Sequence, residues 1–475
     1  MSVIKFGTDG WRAVIAEDYT FENVRACAQA TVQWLRSTGM ADRGLVVGYD
    51  TRFQSDRFAA AVAEVAAGNG VRTYLVNEPT PTPAVSFGIL HQGAGGAVVI
   101  TSSHNPAIWN GFKVKPHYAG SASPEVVEAI ESAIPGILES RGVRRLPLPE
   151  AEARGLVQRT VTRPAYLEHL GRLVDLDRLR AAGLRVAVDA MYGTGAGYLR
   201  SLLEGGRTAV QEINAEVNPN FPGIAAPEPI TRNLARLMET VRAGGADVGL
   251  ATDGDADRLG IVDEGGAFVT QLQVFALLCY YLLEVRGERG PIVKSITTTK
   301  MADKLGRLYG VPVYETAVGF KYLGPKMMET DALIGGEESG GYGFRGHLPE
   351  RDGILAGLYF LDLMARTGKR PSELIQAVYD RVGPHYYDRV DLHLDPEQRP
   401  AVLARAQAAD PREIAGVPVT GRDTIDGFRF LLGDTGWLLI RFSGTEPLVR
   451  IYTEVTDPDL VPRVLEEGRH LVGLA

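Results

Sequence analysis

The sequence predicts an α/β protein: three similar mixed-sheet α/β domains followed by a smaller carboxy-terminal α+β domain. Between residues 45 and 100, short apolar runs alternate with helical patterns. LVVGYD leads into a helix from about Ser55 to Asn69, with Phe58, Val62 and Val65 on one face. TYLV (73–76), a proline-opened helical stretch and GAVVI (96–100) follow. Such alternation marks βαβ units with parallel pairing. The pattern returns from LRVAVDA (184–190) to ADVGLA (246–251). It returns again from an apolar helix over 271–285 through PIVKSI, VPVYET and ALIGG. Near 380–400, RVGPHYYDRVDLHLDPEQRP breaks the rhythm; FRFLLG, GWLLIRF, LVRIYTE and a terminal helix then give the α+β tail. The charged, proline-containing segment 131–163 marks the first junction. The expected domains are 1–150, 151–265, 266–383 and 384–475.

Composition narrows the function classes. A chain of 475 residues is too long for one core, and its 45% hydrophobic and 23% charged residues are an ordinary globular balance. A net charge of −8 with no Lys/Arg stripe argues against a nucleic-acid partner. An anionic ligand must therefore meet local cations, backbone amides or a metal. The two cysteines, Cys27 and Cys279, lie far apart in apolar helical segments, as buried thiols of a reducing compartment do. MSVIKFGTDG carries no apolar leader. The apolar helix near 275–285 is too short to span a bilayer and includes Glu284. No membrane partner and a cytoplasmic location are expected, with that helix in the core.

Each α/β unit ends a strand in an unusual loop: TSSHNP after GAVVI, DGDADR after ADVGLA, GGEESGG after ALIG. Ligands of open parallel sheets bind beyond the carboxyl ends of strands, so these loops and RFSGTEP in the tail can share one cleft. In DGDADR, Asp253, Asp255 and Asp257 repel one another unless a cation sits among them, and hard carboxylate oxygens select Mg²⁺, Ca²⁺ or Mn²⁺. A solvated acidic turn is the plainer alternative. An EF-hand is excluded: Arg258 stands where its glycine is needed, and the flanks read as strands. TSSHNP offers the Ser103 hydroxyl beside His104. By itself this reads equally as a polar turn, and no G-x-S-x-G elbow supports a hydrolase triad. In RFSGTEP, an arginine, two hydroxyls and a glycine suit an anion cradle, or a surface hairpin. GGEESGG suits polyol hydroxyls, or a hinge.

Together and in this order, the four loops resemble the α-D-phosphohexomutase superfamily, in its bacterial phosphoglucomutase/phosphomannomutase branch, over essentially the whole chain from GTDGWR to RFSGTEP. The resemblance implies four domains around a central cleft, the fourth mobile. It implies that Ser103, rather than Ser102, is a phosphoserine, and that Asp253, Asp255, Asp257 and the Ser103 oxygen bind Mg²⁺. Glu337 and Ser339 match a pair gripping sugar hydroxyls. Arg441, Ser443, Gly444 and Thr445 match a loop holding the non-reacting phosphate. Lys113 in NGFKV fits a lysine of proton transfer or phosphate contact. Arg12 resembles an arginine facing the phosphoserine, with His104 a further catalytic candidate. Arg258 resembles a residue near substrate, and Gly319 in AVGFKYL belongs to a loop reading sugar orientation. Arg351 in HLPERDG stands where glucose-specific relatives often carry lysine; a guanidinium hardly deprotonates, so it takes no acid–base role.

The implied activity interconverts hexose 1- and 6-phosphates through the phosphoserine and a hexose 1,6-bisphosphate, which is both intermediate and activator. GEESG leans toward glucose, with mannose kept open. Phosphoglucosamine mutase, a Mg²⁺-dependent sugar phosphatase and a non-catalytic sugar-phosphate binder are the alternatives. The expected partner is a hexose phosphate, on a monomer or homodimer.

Overall fold

The computed structural model describes residues 4–443 and 447–474. Among those residues are three mixed α/β sheets, one five-stranded antiparallel sheet backed by a helix, and a two-stranded antiparallel pair at 413–414 and 417–418. The first sheet runs in the order Trp11–Val14, Trp109–Pro116, Gly96–Ile100, Leu45–Tyr49, Thr73–Val76, Val157–Thr160. Its last strand, within the segment read as a junction, pairs in parallel with 73–76. The second runs Phe268–Val269, Leu259–Val262, Val248–Thr252, Arg185–Asp189, Ala209–Ile213. The third runs Val313–Thr316, Ile292–Ser295, Ile334–Gly336, Tyr342–Phe344.

One device recurs in all three. A buried parallel strand (96–100, 248–252, 334–336) ends in a short loop, and the chain returns antiparallel along 109–116, 259–262 or 342–344. A parallel crossover needs a dozen or more residues. These loops are too short for that, so each becomes the tip of a hairpin inside an otherwise parallel sheet. The three tips are TSSHNP, DGDADR and GGEESGG.

Packing brings the tips together. The first unit has its own core, with Val24, Leu35, Val62 and Phe112 fully buried. The second and third share one core that runs from Val186 and Leu250 to Phe275 and Leu358. At its centre lies Gly353–Thr367, buried from Gly353 to Met364, an apolar-all-round helix as deep burial requires. Asp352 caps it, its Oδ1 accepting from the amides of Ile354 and Leu355 at 2.9 Å each, which fixes Arg351 just before the first turn. The helix expected over 271–285 is core, α-wound to Tyr280 and π-wound over Tyr281–Val285. The fourth unit packs Leu460–Val472 on the antiparallel sheet formed by 386–393, 448–455, 436–442, 428–431 and 421–423. Trp437, Leu439 and Tyr452 on its other face meet Ile296 of the third unit. Both cysteines are buried, and burial pushes both thiols up. Among the described residues no helix is long and apolar enough to cross a membrane.

Candidate active site

The first tip turns through Ser103, a non-glycine residue in the left-handed region at φ 50°, a conformation that costs about 1–2 kcal/mol. Its amide donates to Thr101 Oγ1 at 2.9 Å, and its hydroxyl donates to Asp253 Oδ2 at 2.7 Å. His104 Nδ1 lies 3.3 Å from Ser103 Oγ. Burial, with Arg258, Arg12, Lys113 and Arg52 around it, pushes the His104 imidazole well below its ordinary value, so it is neutral near pH 7. Arg12 enters from the neighbouring edge strand and donates to Asn105 Oδ1 at 2.7 Å.

The second tip stands against the first. Asp253, Asp255 and Asp257 are fully buried, and one oxygen of each lies within 4.8 Å of the others. Asp255 Oδ2 accepts from Lys113 at 2.7 Å and Thr82 at 2.5 Å; Asp257 Oδ2 accepts from Lys113 at 3.0 Å and lies 2.9 Å from Arg351. The Oδ1 atoms of Asp255 and Asp257 are buried with no hydrogen-bond donor among the described residues. An orphaned buried charged oxygen costs upwards of about 1–3 kcal/mol. Three converging carboxylates with orphaned oxygens therefore fit a hard divalent cation. Burial and the charges of Asp255 and Asp257 push Asp253 well above the usual carboxylate range. Burial acts on Asp255 in the same sense, but Lys113, Thr82 and Arg351 together outweigh it and hold that carboxyl below the range.

Behind the triad lies a buried ionic network. Lys113 bridges Asp255, Asp257 and Asp9 (2.8 Å); Lys115, two residues along the same strand, bridges Asp9 (3.0 Å) and Glu350 (2.6 Å). Arg351 reaches Asp9, Asp257 and Glu350. Although burial opposes it, the carboxylates Asp255, Asp257 and Asp9 raise the Lys113 ammonium, which stays protonated. Arg258 lies 3.7 Å from Glu228 and 3.9 Å from Asp257, and its amide donates to Asp253 Oδ1 at 3.1 Å.

On the third tip, Glu337 Oε1 accepts from the Gly319 amide at 2.7 Å, and its Oε2 lies 3.8 Å from Arg351. The Ser339 hydroxyl is buried with no hydrogen-bond partner among the described residues. Glu338 points the other way and accepts from Tyr387 (2.6 Å) and Arg389 (2.8 Å) of the fourth unit. Arg441 does not contact the Ser103–aspartate cluster. It donates to Asp426 at 2.9 Å, and the same carboxylate oxygen accepts from the Val318 amide at 3.0 Å. The Ser443 amide donates to Leu448 O, and its carbonyl accepts from Arg399. Gly444 and Thr445 lie outside the described residues.

The same order of domains is found in known proteins. Residues 3–141, 164–266 and 271–382 match the α/β/α domains I, II and III of phosphoglucomutase/phosphomannomutase, and 397–470 match its C-terminal domain. The chain belongs to the phosphoglucomutase/phosphomannomutase family. It is 32% identical over 468 residues to the phosphoglucomutase/phosphomannomutase of Thermococcus kodakarensis, covering 98% of each chain. It is 30% identical over 487 residues to the phosphoglucosamine mutase of Desulforamulus reducens, covering 98% of this chain and 99% of the relative. A Thermus thermophilus structure assigned as a phosphomannomutase superposes with a TM-score of 0.86 at 37% identity, covering 99% of each chain.

As a member of this family, the chain is a phosphohexomutase-type enzyme, an isomerase. Within its family site, sequence reasoning missed Asp9, Arg52, Thr82, Lys115 and Glu350. Asp9 sits inside GTDGWR and Lys115 faces the same side of its strand as Lys113, so both left a trace; the others left none. The two loops of the phosphohexomutase touch at Gly254, where a Cβ would lie 2.4 Å from the Ser103 carbonyl oxygen. Backbone cannot yield as a side-chain tip can. Gly254→Ala is therefore expected to part serine from aspartate and lower kcat by about 100-fold, read by steady-state kinetics beside an unchanged far-UV spectrum.

Proposed function

We propose that this enzyme interconverts hexose 1-phosphate and hexose 6-phosphate, with glucose phosphates preferred, by passing a phosphoryl group through Ser103. The observation that carries the reading is the Ser103 hydroxyl seated on Asp253 at the mouth of a buried carboxylate triad with orphaned oxygens. In the forward half, a free sugar hydroxyl attacks the phosphorus of phosphoserine. The new P–O bond forms as the bond to Ser103 Oγ breaks, leaving a hexose 1,6-bisphosphate. The bisphosphate turns end for end, Ser103 takes back the other phosphoryl group, and the isomer leaves. The neutral imidazole of His104, at 3.3 Å from Ser103 Oγ, is a group able to hold the proton exchanged there.

Phosphoryl transfer needs positioning and neutralised charge more than covalent help. Asp253, Asp255, Asp257 and the Ser103 oxygen would hold Mg²⁺, which would supply positive charge toward the transferred group. Lys113, raised and clamped among carboxylates, acts as a fixed cation; Arg12 and Arg258 face the same loop. Glu337 and Ser339 would take sugar hydroxyls, and Arg351, pinned by four carboxylates, orients Glu337 and takes no proton. Gly319 anchors Glu337 through its amide. Arg441 with Ser443, Gly444 and Thr445 would hold the distal phosphate.

A second reading, phosphoglucosamine mutase, is favoured by the Desulforamulus reducens relative. The test compares kcat/KM for glucose, mannose and glucosamine 1-phosphates with glucose 1,6-bisphosphate present. The highest value is expected for glucose; a large preference for either other sugar overturns the assignment. Chelation with EDTA is expected to remove turnover and added Mg²⁺ to restore it.

A further inference from the structure

We infer that Arg52 is a positioning residue for Ser103, holding the serine loop on Asp253 through the loop's own carbonyls; the catalytic part of this inference rests on the phosphoserine reading above. Arg52 follows the parallel strand 45–49 and is 3% exposed. Its two terminal nitrogens make four hydrogen bonds, all to backbone oxygens of one loop. NH1 donates to Pro106 O (2.8 Å) and Trp109 O (3.0 Å), and NH2 donates to Ser103 O (2.7 Å) and Asn105 O (2.5 Å). The guanidinium is itself fixed: Nε lies 3.2 Å from Asp50 Oδ2, and the Phe221 ring covers it at 5.0 Å. Asp50 is held in turn by the Arg52 amide (2.9 Å) and Ser55 Oγ (2.8 Å).

A buried carbonyl must find a donor, and the Ser103 carbonyl finds it in Arg52. A planar fork can serve four oxygens spread from residue 103 to 109; a lysine ammonium is a compact point charge and cannot. Because its terminal donors are spent on backbone, Arg52 is placed as a brace and not as a phosphate ligand, unlike Arg12. The brace acts where geometry is least forgiving. It grips the carbonyl of Ser103, held at φ 50°, whose oxygen also abuts Gly254.

The test is Arg52→Lys, read three ways. Hydrogen exchange at the Asn105 and Trp109 amides, which close the loop's inner turns onto Ser102 O and Pro106 O, is expected to accelerate while that of strand 96–100 does not. Single-turnover transfer from glucose 1,6-bisphosphate to Ser103, and kcat with it, is expected to fall by about 100-fold. Tm is expected to fall modestly with the lost hydrogen bonds, while KM stays near wild type, a kcat-against-KM split that a merely structural role would not give. Should Arg52→Lys not fold, Asp50→Asn loosens the same guanidinium from behind and is expected to shift exchange and kcat in the same direction, less far. Loss of kcat with loop protection intact, or a loosened loop with full kcat, overturns the inference. If the wild-type enzyme turns over no hexose phosphate, the mutase reading fails, and the exchange data alone uphold or overturn the hold of Arg52 on the loop.

Discussion

Ser103→Ala is expected to abolish mutase turnover, lowering kcat by on the order of 10⁴-fold or more, the range seen when a covalent carrier is removed from a site whose other groups remain. The fold should survive. Among the described residues the lost hydroxyl hydrogen-bonds to Asp253 and His104, and alanine tolerates the left-handed backbone about as well as serine does. One hydrogen bond of this kind is worth about 1 kcal/mol, so Tm should move little. Asp253, already pushed above the usual carboxylate range, can take a proton in place of the lost donor. The variant should therefore still bind sugar phosphate, since the arginines and Glu337 are untouched. Intact-mass analysis of the wild type after incubation with glucose 1,6-bisphosphate should show one phosphate at Ser103, and the variant none. Full turnover by Ser103→Ala would remove the carrier mechanism altogether. Ser103→Thr should also fail, for a different reason: a β-branched residue is a poor occupant of φ 50°.

The tips of the hairpins were legible in the sequence because their chemistry is local. Three aspartates at alternate positions advertise a cation whatever surrounds them. The strands feeding the tips are short apolar runs, and they too could be read directly. The first return strand could not. In WNGFKVKP, Lys113 and Lys115 alternate with Phe112 and Val114, which mimics a strand with one face in water. In the fold that polar face is fully buried, turned toward Asp9, Asp255, Asp257 and Glu350. Period-two patterning reports polarity and cannot tell solvent from a buried counter-charge. Arg52 and Glu350 escaped for a related reason. Their partners lie 51 to 54 residues away for the contacts of Arg52 to residues 103, 105 and 106, and 235 residues away for Glu350 with Lys115. No spacing along the chain encodes such a meeting. The shared core of the second and third units was hidden likewise, because Gly353–Thr367 is apolar all round and shows no single face.

Lys113→Met puts the buried network to its hardest test. Methionine preserves the aliphatic stem and deletes the charge that bridges Asp9, Asp255 and Asp257. Asp9 retains Lys115 and Arg351, and Asp257 retains Arg351, but among the described residues Asp255 Oδ2 keeps a hydrogen bond from the Thr82 hydroxyl alone. Removing one partner from a buried ionic set costs about 3–5 kcal/mol, and the apparent Tm in EDTA at neutral pH should fall by roughly 10 °C. The pH dependence identifies the cause. In the wild type, Asp255 is held below its unfolded value, so its stabilisation is present above the usual carboxylate range and is lost as pH falls through it. In the variant, Arg351 and the Thr82 hydroxyl still oppose burial but no longer outweigh it, and that carboxyl rises above its unfolded value. Its folded form is then penalised at neutral pH and relieved on acidification. The stability gap between the two proteins should therefore narrow from pH 7 to pH 5. Added Mg²⁺ should narrow it again at pH 7, since a cation bound only by the folded state stabilises by mass action. A gap indifferent to both pH and Mg²⁺ would mean that Lys113 fills space between the loops without balancing their charge.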